Sequence, residues 1–318
     1  MHKRVLRDSL IDAIHNKMIL NDDIFFLSAD FGAPALDNLR QKFPDRFINV
    51  GIAEQNLINL ATGLSLEGYI VYAYAIAPFL SMRAYEQIRI NLSITAQLKK
   101  LNVNLISVGA GLSYDVTGPT HHCLEDSCVI NTLPNISLFS PSDAILAEEF
   151  ADYTLCNHRP KYIRLDGKAQ PVLYSDRTKI SFENGFTELG FGKDLCIIST
   201  GYMTHIALEI AEKLSADHID PSVIDLYMLK PFDKDRLLEV VRGYTHIVTM
   251  EEAFLDKGGL DTIIASICNS DNIPNRLLKI GFDDRYIVDV GNREYLYHAS
   301  GLGTDNIIKK IKIYLDDN

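Results

Sequence analysis

Residues 49–89 read NVGIAEQNLINLATGLSLEGYIVYAYAIAPFLSMRAYEQIR, and their pattern sets the fold class. An extended apolar approach, Phe47-Ile48-Asn49-Val50, runs into Gly51. Ile52, Leu57, Leu60, Ala61 and Leu64 then recur at helical spacing, with one acid, Glu54, in the first turn. Gly68 breaks that pattern, and Tyr69–Ala75, dense in aromatic and β-branched residues, predicts a buried strand. Pro78-Phe79 turns the chain into a second predicted helix over 80–92. Strand, glycine, acid, helix, strand, aromatic loop and helix is the alternation of a parallel α/β sheet, whose strand-to-helix turns are where ligands bind.

The alternation extends both ways. A helix is predicted over 4–20, a strand over 24–27 with Ser28-Ala29-Asp30 at its carboxyl end, and a strand over 103–108 that meets Gly109. The loop 112–122 is rich in Gly, Ser, Thr and Pro. A helix over 124–133, a strand over 136–140, a helix capped by Ser142-Asp143 and a strand over 162–165 follow. Mixed composition places a linker at 167–190, dividing a domain at 1–166 from a second α/β unit at 191–318. The pair Glu251-Glu252 is expected at a solvated strand end.

The 318 residues are 47% hydrophobic and 23% charged, ordinary for a globular protein of two domains. A net charge of −11, with no basic stripe, disfavours nucleic-acid binding but leaves room for a locally cationic site. Five cysteines without a CxxC, and no secretory signal at Met1-His2-Lys3-Arg4, indicate reduced thiols in the cytoplasm. Gly63, Glu67, Gly68 and Pro78 interrupt the most apolar stretch, so no membrane span is expected. His121, His122, Cys123 and Cys128 match no structural zinc spacing, and no metal site is assigned.

GIAEQN at 51–56, the aromatic loop ending in Phe79 and GPTHH at 118–122 together resemble the pyrimidine-binding domain of thiamine-diphosphate enzymes of the transketolase group. LYMLKPFD at 226–233 and the EE…GG run at 251–259 resemble that group's C-terminal domain, so the likeness spans the chain. The resemblance implies that Glu54 bonds the cofactor's pyrimidine nitrogen, with Ile52, Phe79, Met82 and Tyr85 lining the ring's slot and His121 facing the reacting carbons. Ser28, Arg164 and Arg7 match positions that grip the phosphate end of the sugar, while His121 would bond the ketose hydroxyls or the donor oxygen. Two positions depart from the pattern. Gly109 stands where ordinary transketolases carry a phosphate-contacting histidine, and Thr117 where they carry an aspartate that reads a sugar hydroxyl.

No GDG motif for Mg2+ and diphosphate occurs in the sequence. The resemblance is therefore to the C-terminal half of a transketolase, a separate subunit working with an N-terminal-half partner that supplies the diphosphate and Mg2+ site, in an α2β2 assembly. It implies transfer of a two-carbon ketol unit from a ketose to an aldehyde, on a specialised sugar. The competing expectations are a 2-oxo acid dehydrogenase β-subunit, a deoxyxylulose-phosphate-synthase-like enzyme, or a non-catalytic partner subunit.

Overall fold

A computed structural model describes residues 3–271, 273 and 276–316. Met1 and His2, part of the reading on secretion, lie outside them. The first half runs β1 (Lys3–Val5), α1 (Leu6–Leu20), β2 (Ile24–Ser28), α2 (Pro34–Lys42), β3 (Phe47–Asn49), α3 (Glu54–Leu66) and β4 (Ile70–Ile76). The helix expected after β4 forms, but in wide turns: a π-helical turn Phe79–Arg83, one α-turn α4 (Tyr85–Gln87) and a π-helix Ile88–Ile94. Next come β5 (Val103–Val108), α5 (Asp126–Asn131), β6 (Ser137–Phe139), α6 (Ala144–Cys156) and β7 (Lys161–Leu165). Asp143 caps α6 as expected, accepting from the Leu146 N–H at 2.8 Å.

The second half holds β8 (Ala169–Pro171), β9 (Phe186–Gly190), β10 (Leu195–Ser199), α7 (Met203–Ala216), β11 (Pro221–Leu226) and β12 (Met228–Lys230). It continues through α8 (Lys234–Val241), β13 (His246–Phe254), α9 (Leu260–Ser270), β14 (Arg276–Phe282), α10 (Arg293–Ala299) and α11 (Thr304–Asp316). A seven-stranded sheet has the order β12-β6-β7-β5-β4-β2-β3, and a five-stranded sheet the order β14-β13-β10-β11-β9. Both are parallel except at one edge, where β12 and β9 run antiparallel. Their strands are nearly continuous apolar runs because helices cover both faces. β4 illustrates this: its first six residues are buried.

Two expectations need correction. Residues 167–190 do not run free: β8 pairs with β1, and β9 forms an edge of the second sheet. The backbone N–H groups of Leu173 and Tyr174 also bond Asp143 at the head of α6. The LYMLKPFD string likewise bridges the halves. β11 ends in the second sheet at Leu226, and two residues later β12 joins β6 of the first.

Glu251 and Glu252 are buried, not solvated. Glu252 accepts from the Tyr297 hydroxyl at 2.6 Å and from Arg293 at 3.0 Å, and Arg293 also reaches Asp166 at 2.6 Å. Glu251 accepts from the Leu260 N–H at 2.7 Å. β13 is an interior strand, and Glu252 near its carboxyl end also accepts from the Leu112 N–H of the first domain at 3.3 Å.

Asp225 is a further buried acid between the halves, accepting from Ser142, Tyr174 and Thr204 hydroxyls at 2.5, 2.7 and 2.9 Å. Burial pushes its carboxyl up to about 7, so the folded chain holds a proton that the unfolded chain releases near pH 4. Its stabilising contribution is complete below that lower value and is lost as pH rises towards 7. Between pH 4 and 7 the wild-type thermal midpoint should therefore fall relative to Asp225→Asn, by the equivalent of roughly 1–3 kcal/mol. Parallel midpoints for the two proteins across that range would contradict the assignment.

Candidate active site

The carboxyl ends of β3 and β4 lie two strands apart, with the carboxyl end of β2 between them. Asn49 closes β3: its side chain donates to Asp30 at 2.8 Å and accepts from the Gly51 N–H at 3.0 Å. Gly51 takes φ +76°, which a side chain would resist, and the chain then enters α3 at Glu54. Glu54 is 3% exposed.

Arg83, at the end of the first π turn, donates to Glu54 Oε2 at 2.7 Å. Its guanidinium lies 4.8 Å over the Phe79 ring. His121 meets that same ring edge-on at 5.4 Å, and its Nδ1 sits 3.0 Å from the Thr120 hydroxyl. Glu54, Arg83, Phe79 and His121 thus form one continuous chain of contacts. Beside them opens a groove of about 440 Å³, lined by Pro78, Phe79, Met82, Pro119, His122 and Tyr286, among others. A carboxylate, an aromatic face and a histidine joined by contacts can hold a flat, nitrogen-bearing ring and exchange protons next to it.

The remaining expected residues divide. Met82 borders the groove and Ile52 is exposed. Tyr85 is half-buried, its hydroxyl 2.9 Å from Thr132 on α5. Arg7 bonds Asp8 through Nε at 2.7 Å, with its guanidinium beside Tyr74 and Tyr114. His122, ranked below His121, is buried with Nε2 3.0 Å from the Asp115 carbonyl.

Arg164 and Ser28 are not placed to grip a ligand. Arg164 is 3% exposed and fully engaged, donating to Asp126 at 2.8 Å and to the Glu252 carbonyl at 2.8 Å. Burial opposes its charge, but the Asp126 and Glu251 carboxylates outweigh that and raise its pKa. Ser28 is 2% exposed, with its hydroxyl turned to the Phe31 carbonyl.

Gly109 has a structural reason. It adopts φ +104°, and a Cβ there would enter the Tyr114 ring. Thr117, in a short 3-10 turn, is exposed.

Sequence reading missed Arg83 and Tyr286. A charge at helical spacing looks solvated, and Tyr286 reaches the groove from the second domain, some 200 residues along the chain from Phe79. Among the described residues no cluster of His, Cys, Asp and Glu could hold a metal, and no helix is long and apolar enough to cross a membrane.

The family model for the transketolase pyrimidine-binding domain matches residues 3–168, and that for the transketolase C-terminal domain matches 188–307. An apulose-4-phosphate transketolase subunit from Actinobacillus succinogenes is 30% identical, covering 84% of each chain. A 6-deoxy-6-sulfo-D-fructose transketolase subunit from Clostridium sp. is also 30% identical, over 96% of this chain and 92% of its own. Among solved structures, a split-gene transketolase described as an inactive β4 tetramer superposes with a TM-score of 0.85 at 33% identity, covering 99% of both chains. A Pichia stipitis transketolase shares the fold at 17% identity and TM-score 0.80, with 46% of its length covered. The chain belongs to the transketolase family, carrying the family's pyrimidine-binding and C-terminal domains in series.

Proposed function

We propose that this chain is the pyrimidine-side subunit of a split, thiamine-diphosphate-dependent transketolase, passing a two-carbon ketol unit from a ketose to an aldehyde. The observation that carries the reading is the continuous Glu54–Arg83–Phe79–His121 contact chain. Its donor set fits the cofactor's pyrimidine. Among the described residues Glu54 Oε1 has no hydrogen-bond donor, so it is free for a ring nitrogen. When bound, thiamine diphosphate supplies the acidic carbon that adds to a ketose carbonyl. Glu54 holds or releases a proton at Oε1, while Phe79 and Met82 offer the ring an apolar face. Thr120 occupies His121 Nδ1, which leaves Nε2 to give or take a proton at a sugar oxygen.

The diphosphate and Mg2+ fall to an N-terminal-half partner, in an α2β2 assembly. Relatives named as transketolase subunits, and the solved split-gene transketolase, support that division. The five cysteines are free, which suits a reducing cytoplasm. The substrate is a specialised ketose. With Arg164 and Ser28 buried, and Tyr114 filling the space beside Gly109, the usual phosphate grip is not assembled from these positions. Relatives named for apulose-4-phosphate and for a sulfo-sugar fit a family whose members accept varied sugars.

Calorimetry with thiamine diphosphate and Mg2+ tests the reading, first on this chain alone and then with an N-terminal-half transketolase protein from the same genome. Tight binding in the mixture alone is expected, followed by turnover in a ketose and aldehyde screen. Absence of binding in both samples would leave a non-catalytic partner subunit. Consumption of pyruvate in place of a ketose would point to deoxyxylulose-phosphate-synthase-type or 2-oxo acid chemistry.

A further inference from the structure

We propose that Arg83 is a positioning residue that makes the two oxygens of Glu54 unequal, fixing Oε2 so that Oε1 alone addresses the cofactor ring. The inference rests on the pyrimidine-side reading above and adds a residue that the family likeness does not assign.

The geometry is lopsided. Glu54 lies inside the protein with 4% of its side chain exposed, whereas 48% of the Arg83 side chain is exposed. A buried carboxylate without a partner is costly. Here the countercharge reaches in from the exposed side, at 2.7 Å and on one oxygen only. The bond is charge-assisted, about twice as strong as a neutral one.

Arg83 is itself held in place. The π-helical turn puts it four residues and about one turn beyond Phe79, so the guanidinium stacks on that ring at 4.8 Å while bonding Glu54. A planar fork can stack and donate at once; a lysine ammonium delivers charge without that plane. His121 contacts the same Phe79 ring at 5.4 Å. One aromatic ring thus sets the positions of both the carboxylate's partner and the loop histidine.

A surface ion pair of ordinary kind would be worth little and would act on nothing else. The discriminating experiment is a double-mutant cycle on cofactor affinity in the assembled two-subunit complex. Thiamine diphosphate with Mg2+ is titrated by calorimetry into wild type, Arg83→Met, Arg83→Lys, Glu54→Gln and the Glu54→Gln/Arg83→Met double variant. Arg83→Met should bind about tenfold more weakly in complexes that still assemble, with a lower thermal midpoint because buried Glu54 loses its partner, and Arg83→Lys should recover much of the lost affinity. In the Glu54→Gln background, Arg83→Met should have almost no further effect.

Wild-type affinity in Arg83→Met would overturn the proposal. So would an equal loss in both backgrounds, which would mean that Arg83 acts by packing on Phe79. No recovery at all with lysine would count against positioning by charge. If the wild-type complex itself binds no cofactor, the functional reading fails before any variant is compared.

Discussion

Replacing Glu54 by Gln should lower two-carbon transfer by the assembled enzyme by about 10²–10⁴-fold, the range expected when a positioned proton-transfer group is removed. Glutamine keeps the shape of the side chain, which sits buried at the first position of α3, so the fold has no reason to change. What it loses is the ability to carry a proton and a charge. Arg83 would lose its partner, but half of that side chain is already in water, and it can be solvated there. Stability should therefore move by less than about 1 kcal/mol. Steady-state transfer rates and thermal unfolding of the same preparations check both halves. An unchanged rate in a folded variant would remove Glu54 from the chemistry.

The largest loss of stability is expected from Arg164→Met, about 3–5 kcal/mol. The substitution leaves Asp126 with no exposed surface and no cationic partner, and it also removes a donor to the Glu252 carbonyl, a contact between the two domains. Adding Asp126→Asn should return part of the loss, because the uncompensated charge, more than the missing contact, is what destabilises. Urea unfolding of the single and double variants measures this directly. A stable Arg164→Met protein with selectively impaired substrate binding would instead restore the ligand-gripping role suggested by family likeness.

Local order was legible in the chain. The strand, glycine and helix around Gly51 follow from periodicity and the GPTHH loop from its composition, while Glu54, Phe79 and His121 could be singled out only through the family resemblance. Their mutual contacts could not. Arg83 occupies a helical face where an arginine usually means water, and only the π winding and the burial of Glu54 reveal its partner. The buried surroundings of Arg164 and Glu252 escaped the sequence reading for one shared reason. Their partners, Asp126, Arg293 and Tyr297, lie about 40 residues away in sequence and reach them only through tertiary packing. The strands within 167–190 escaped notice because strands of three to five residues carry little periodic signal.

The three residues of β12 have a bearing on how this gene can be rearranged. They cover the open side of β6, whose backbone groups would otherwise form an unpaired edge available to any passing strand. That cover is encoded about 90 residues downstream of β6, beyond four strands of other sheets. Cutting the sequence between its two domains would therefore leave the first half with an adhesive border prone to aggregation. The domains are separate in architecture but joined in solubility, so recombination at this junction is closed to a protein that must stay folded.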